Sequence, residues 1–147
     1  MSAYETVIPV RFNHVDAAGI VFYPRYFEMV NQSVEEWFEA DLGLPFAEMH
    51  QGRRTGVPTV DLAFKFRKAS RLGERLRFRL SVRSVGSSSA TLGLEVCGAD
   101  EGDLRMEGQV TLVYVEDDNG SYHAAGWPQE VKARMMAKQE KDEGVAK

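Results

Sequence analysis

Phe12 to Gly43, FNHVDAAGIVFYPRYFEMVNQSVEEWFEADLG, decides how this chain folds. It reads as a strand end, a tight turn carrying Asp16, and one long helix. Pro24 suits the first helical position, where its missing N–H costs nothing. Asp41-Leu42-Gly43 supplies a C-terminal glycine, and Pro45 blocks continuation. With one residue every 100° and Phe27 set at about 0°, Val30, Val34, Trp37 and Phe38 fall between roughly 280° and 20°. Tyr23, projected back, falls near 320° on the same side. Glu28, Glu35, Glu36 and Glu39 fall between about 80° and 180°. The helix is therefore amphipathic, with one apolar face to bury. Asn31, at about 40°, sits on the edge of that face. A half-buried amide there needs a partner, which local backbone, water or a bound ligand could supply.

Outward from the helix, period-2 alternation predicts strands. Thr6 to Phe12 is the first, and Pro9 within it marks an edge position. Residues 44–56 lack a period and read as a loop with a short helix at Phe46–Met49. Val60, Leu62, Phe64 and Phe66 then alternate with polar residues. So do Leu76, Phe78, Leu80 and Val82, and then Leu92, Leu94 and Val96. Leu104 to Val115 is a longer strand, in which Gly108 marks a bulge or bend. Turn clusters at 86–89, 100–103 and 117–120 make these strands antiparallel neighbours. A last helix opens near Pro128 and runs to about Lys138. One long apolar-faced helix followed by antiparallel strands predicts an α+β fold, with the sheet curled around the helix. Two open sheet edges remain, and an oligomer that continues the sheet would cover one of them.

The 147 residues suit one domain, placed at 1–140, with a charged and frayed tail at 141–147. A hydrophobic content of 44% is enough to build a core. The net charge of −4 argues against a nucleic-acid partner. No apolar run approaches a membrane span, and the N-terminus lacks a signal-type apolar segment. Cys97 is the only cysteine, so no internal disulfide forms. These features predict a cytoplasmic protein without a membrane partner.

The usual catalytic motifs are missing. Three histidines, His14, His50 and His123, without ligand spacing, give no metal site. There is no G-x-S-x-G elbow, P-loop or G-x-G-x-x-G. Cys97 falls in a strand pattern and reads as a small packed side chain. Asp16 remains. Aspartates in turns often only bind nearby N–H groups. This one is followed by Gly19, which admits a ligand to the backbone, and by Ile20, Val21 and Phe22, which would dry the site. The helix N-terminus at Tyr23-Pro24 adds free N–H groups and a positive dipole end. A carboxylate facing an anion-stabilising helix end is what ester hydrolysis needs.

Asp16-Ala17-Ala18-Gly19-Ile20-Val21-Phe22-Tyr23-Pro24-Arg25-Tyr26-Phe27 resembles the D-x-x-G-[IV]-V-[FWY]-[YH]-x-x-Y-[FHV] signature of hot-dog fold acyl-CoA thioesterases. Tyr23-Pro24 is most similar to the 4-hydroxybenzoyl-CoA thioesterase branch. Gly56-Val57-Pro58-Thr59-Val60 also matches the pattern that follows the helix there. The resemblance implies a five- or six-stranded antiparallel sheet around one central helix and a homodimer with active sites at its interface. It further implies a dimer of dimers and no cofactor. Asp16 matches the family's catalytic carboxylate, as nucleophile or as general base on water. The backbone N–H of Tyr23 matches the thioester-polarising donor. His14, Gly19, Asn31, Pro58 and Thr59 would line the acyl-CoA substrate.

Two departures matter. His14 stands where many relatives carry a second acid. Gly86-Ser87-Ser88-Ser89 replaces a basic run suited to nucleotide phosphates, so that role would move to Arg67, Lys68 and Arg83, with Arg53, Arg54 and Arg71 as further candidates. The implied reaction is hydrolysis of an acyl-CoA, aromatic such as hydroxybenzoyl first and short aliphatic next. An enoyl-CoA hydratase using Asp16 with His14, and a non-catalytic acyl-CoA-binding module, are the alternatives.

Overall fold

The computed structural model describes residues 3–139, so the tail expected at 141–147 lies outside the described residues. The strands are β1 (Tyr4–Pro9), β2 (Thr55–Gly56), β3 (Thr59–Phe66), β4 (Arg75–Val85), β5 (Ser89–Gly98), β6 (Leu104–Val113), β7 (Val115–Asp118) and β8 (Ser121–Ala124). Two α-helices accompany them, α1 (Tyr23–Trp37) and α2 (Gln129–Ala137). Five strands form an antiparallel sheet in the order β1-β4-β5-β6-β3, and β2-β7-β8 form a small second sheet. The architecture is α+β, with the larger sheet wrapped around α1, as the sequence predicts.

The core lies between the sheet and one face of α1. Leu76, Phe78, Leu80, Val82, Leu92, Leu94 and Val96 are at most 1% exposed. They meet Met29, Val30, Val34 and Trp37 of α1, all buried. Each such side chain contributes about 1.5–3 kcal/mol of burial. A hydrogen bond from Thr6 Oγ1 to Glu36 Oε1, at 2.7 Å, ties β1 to the helix.

Several boundaries differ from the sequence reading. The first helical residue is Tyr23 rather than Pro24, with Phe22 as the N-cap. Proline is equally tolerated one place later, because that N–H also lacks an intrahelical acceptor. A wider π-helical turn, Phe38–Leu42, ends the helix, and Gly43 closes it with a left-handed φ of 69°. The first strand stops at Pro9, because the Val10 N–H leaves the ladder for the Glu74 carbonyl at 2.8 Å. Phe12–His14 is one turn of 3₁₀ helix. The helical segment expected at Phe46–Met49 extends further, as a π-helical stretch over Glu48–Arg53.

The long strand at Leu104–Val115 breaks at Tyr114, whose N–H bonds to the Ser88 carbonyl at 2.7 Å. Beyond it the chain joins the second sheet. Gly108 is neither bulge nor bend. It pairs in register with both Leu94 and Phe64, and a side chain there would strike the Ala63 carbonyl and the Phe64 ring.

The buried face of α1 is also rotated from the expected one. Tyr26, Met29, Val30, Ser33, Val34 and Trp37 are buried, and they centre near 270° on the same wheel. Phe27 is only half-buried, and Tyr23 and Asn31 are exposed. The reason is the sheet's asymmetry. Its β4–β5 centre covers one flank of the helix, whereas the flank carrying Phe27 and Asn31 faces the edge strand β3 across an open groove.

Candidate active site

The Asp16 turn is a miniature hairpin. Val15 and Val21 form an antiparallel bridge, the Phe22 N–H donates to the His14 carbonyl at 2.9 Å, and the Asp16 N–H donates to the Ile20 carbonyl at 3.0 Å. The Asp16 Oδ1 accepts the Ala18 N–H at 2.9 Å, which folds the carboxylate over its own turn. Gly19 closes the turn with φ of 79°, and no atom lies within 4 Å of where its side chain would begin. The left-handed backbone and the open space together explain the glycine.

The hairpin delivers the chain directly into α1. Of the first three helical N–H positions, Pro24 has none and Arg25 donates to the Phe22 carbonyl at 2.8 Å. The Tyr23 N–H has no acceptor among the described residues. No acidic residue occupies the first turn, so the positive end of the helix is not neutralised locally. Asp16 thus sits in the turn of a short hairpin whose second arm runs straight to the Tyr23 N–H.

Drying of the site follows less closely. Val21 is buried beneath the turn and Ile20 is half-buried, but Asp16 and Phe22 are exposed and Tyr23 is 60% exposed. A single chain does not screen this carboxylate from water. The rings at the start of α1 are themselves exposed. Phe22 packs edge-on against Tyr23 at 5.8 Å, and Tyr23 against Phe66 of β3 at 6.2 Å.

His14 has a fixed part in the turn. Its Nδ1 accepts the Arg11 N–H at 2.8 Å, which places the ring proton on Nε2. Burial lowers its pKa, opposed by Glu28 and assisted by Arg25 and Arg11. The ring is therefore held neutral, and its basic nitrogen is already occupied. That argues against His14 as the base of a hydratase pair with Asp16, although its Nε2–H keeps a proton to donate.

The remaining expected residues divide into two groups. Asn31, Pro58 and Thr59 come together in a cavity of about 410 Å³ between α1 and the start of β3, with Phe27, Val34 and Leu62. Asn31 was expected to be half-buried. It is exposed at the wall of this groove, and its amide makes no hydrogen bond among the described residues. The cations separate. Arg67 and Arg83 line one cavity of about 400 Å³ on the outer face of the sheet. Arg67 pairs with Glu107 at 2.7 Å, whereas Lys68 turns away to Asp103 at 2.8 Å. Of the further candidates, Arg53 pairs with Glu48 and Arg54 with Asp117. Cys97 is half-buried, and burial raises its thiol pKa, which suits packing rather than attack. Among the described residues no three side chains gather as metal ligands. No described helix is long and apolar enough to cross a membrane.

Sequence reasoning missed the support beneath the turn. The Val21 N–H donates to the Ser70 carbonyl at 2.9 Å, and the Leu72 N–H donates to the Gly19 carbonyl at 3.2 Å. Residues 67–75 carry no periodic signal, so nothing local placed them beside Gly19.

An antiparallel sheet wrapped around a central helix, with an aspartate turn feeding the helix N-terminus, is the hot-dog architecture. Solved hot-dog structures superpose along nearly the whole chain. A 1,4-dihydroxy-2-naphthoyl-CoA thioesterase from Synechocystis gives a TM-score of 0.82 at 18% identity, covering 92% of this chain and 96% of that one. A gentisyl-coenzyme A thioesterase gives 0.80 at 23%, covering 90% and 99%. A 4-hydroxybenzoyl-CoA thioesterase, an Asp-to-Asn variant complexed with 4-hydroxybenzoyl-CoA, gives 0.80 at 20%, covering 89% and 96%. No curated protein matches the sequence. The chain belongs to the thioesterase-like superfamily, whose family model matches residues 10–135.

Proposed function

We propose that this chain hydrolyses acyl-CoA thioesters to free acid and CoA. The observation that carries this reading is the unpartnered Tyr23 N–H at an unneutralised helix end, one hairpin away from Asp16. A thioester carbonyl resting on that N–H would have its developing negative charge held there. Asp16, in the turn that delivers the chain to that donor, would attack the carbonyl carbon or take a proton from the attacking water. The named activities of the structural relatives are consistent with this, and one of them was trapped with its thioester as an Asp-to-Asn variant.

The acyl group would follow α1 from Tyr23 towards Asn31. These residues are eight positions apart, about 12 Å along the helix axis. A single benzoyl ring covers only part of that span, and a fused-ring or extended acyl group covers more of it. Phe27 lines the groove and packs against Phe64 at 5.5 Å and Phe66 at 6.2 Å, which favours an aromatic acyl group over a short aliphatic one. Asn31, with a free amide at the far end, would rank acyl groups by length and by polar substituent. Arg67 directly follows Phe66, which packs on Tyr23. With Arg83 across the same outer cavity, it is our candidate for the CoA phosphates.

A second copy of the chain would complete the site. The edge strand β3 exposes Val60, Leu62 and Phe66, and beside it stand Phe22 and Tyr23, also exposed. An unpaired edge with apolar side chains is unstable against association. Pairing there would bury these rings and dry Asp16. A dimer of dimers is the further assembly we propose.

Release of free thiol from aromatic, octanoyl and acetyl-CoA tests the reading. Asp16→Asn should lower turnover by roughly 10²–10⁴ without unfolding the protein. Turnover equal to that of the parent chain would end the assignment. Asn31→Ala should reorder the acyl preferences while leaving thermal stability nearly unchanged.

A further inference from the structure

The Asp16 turn rests on residues 69–74, and that segment rests on one buried arginine. Arg105 of β6 is 5% exposed. Its Nη1 donates to Glu74 Oε1 at 2.9 Å, Ser70 Oγ at 3.0 Å and the Ala69 carbonyl at 3.3 Å. Its Nη2 donates to Glu74 Oε2 at 3.2 Å, and its Nε to Asp103 Oδ2 at 3.0 Å. Room for the guanidinium comes from Gly98, where a side chain would strike both Arg105 and Asp103.

The other face of the segment holds the turn. Ser70 accepts the Val21 N–H, Leu72 donates to Gly19, and Arg71 forms an antiparallel bridge with Ile20. Glu74 belongs to both faces, since its Oε1 also accepts the Arg71 N–H at 2.7 Å. Ala69, Arg71, Leu72 and Gly73 are all exposed, so apolar burial does little to fix this segment. A loop with few buried contacts moves unless polar contacts hold it.

We propose that Arg105 is a positioning residue for the Asp16 turn, acting through Ser70 and Glu74 on Gly19, Ile20 and Val21. This rests on the reading of Asp16 as the reacting carboxylate. Arg105 touches neither the turn nor the groove. It sets the level of the shelf on which the hairpin lies, and so the approach of Asp16 to a carbonyl held at Tyr23. Misplacement of a reacting group by about 1 Å costs up to the order of 100-fold in rate.

Two variants and two readouts test this. Glu74→Gln keeps the shape and weakens the clamp, and Arg105→Met removes it. In each, kcat should fall on the order of 10-fold to 100-fold with KM nearly constant. Amide hydrogen exchange at Val21 and Leu72 should quicken, while exchange at Leu80 and Leu94 stays slow. Asp100→Ala, which breaks only the exposed pair with Arg75, should change neither readout. Should Arg105→Met fail to fold, Glu74→Gln decides alone. Unchanged kcat in Glu74→Gln, or unchanged exchange at Val21 and Leu72, overturns the proposal. If exchange quickens in a protein whose parent hydrolyses no acyl-CoA, the support of the turn stands and the thioesterase reading falls.

Discussion

β3 and β4 carry nearly the same pattern and have opposite surroundings. In β4, Leu76, Phe78, Leu80 and Val82 alternate with polar residues and are sealed under α1. In β3, Val60, Leu62, Phe64 and Phe66 alternate the same way, yet Val60 is 59% exposed and Leu62 43%. Alternation records that one face is meant to be buried, not by what. For β4 the cover is the chain's own helix. For β3 the chain itself leaves much of it open, the second copy proposed above would supply the rest, and the candidate catalytic turn lies beside that edge. The difference separates what folds this protein from what completes its site.

The comparison can be broken most forcefully at β4. Phe78→Ala should cost about 3–5 kcal/mol of unfolding free energy, because the ring is fully buried. Denaturant melts will show this. Leu62→Lys on β3 should leave the folded monomer almost as stable but abolish self-association, as sedimentation would reveal. A melt as damaged as that of Phe78→Ala would mean that β3 is core after all.

The smallest effect expected is with pH, and it should appear first at the turn. His14 has a lowered pKa, so the stabilisation tied to its neutral ring is full above about 6.5 and declines as pH falls through the folded value. Protonation on Nδ1 breaks the bond from the Arg11 N–H. Glu74 and Asp103 are held low chiefly by hydrogen bonds, to Arg105 for Glu74 and to Lys68 and then Arg105 for Asp103. Their contributions are present above about 4.5 and 3.8 and vanish as pH falls further, with Asp103 titrating at about 2. Protection of the Arg11 amide, measured against its intrinsic exchange rate, should therefore be lost at a higher pH than protection of Val21.

The helix, the five strands of the larger sheet and the Asp16 turn were legible because each depends on local chemistry, whereas the three-stranded second sheet was not read. Proline and glycine punctuate α1, alternation marks the strands, and Gly19 marks the turn. Three further features were not legible. The rotation of α1 depends on which flank the sheet covers, and Asn31 left the core for that reason. The break at Tyr114 depends on a bond to Ser88, a contact distant in sequence. Burial of Arg105 depends on Glu74, Ser70 and the space at Gly98, none of which is its neighbour along the chain. The likeness of β3 to β4 misled only about the source of the cover.

Gly108 has one more consequence. Its row across the sheet runs Leu80, Leu94, Gly108, Phe64, so the inner surface has a vacant place where each neighbouring strand presents a side chain. The Phe64 ring settles into that vacancy, Phe27 stacks on Phe64, and Phe66 packs on Phe27 in turn. Phe27, at the head of these rings, also lines the groove between α1 and β3, so a single missing carbon bears on the groove's wall. Restoring that methyl would press on the Phe64 ring and the Ala63 carbonyl, and so, on the acyl-CoA proposal, would retune chain-length selection from outside the groove's own lining.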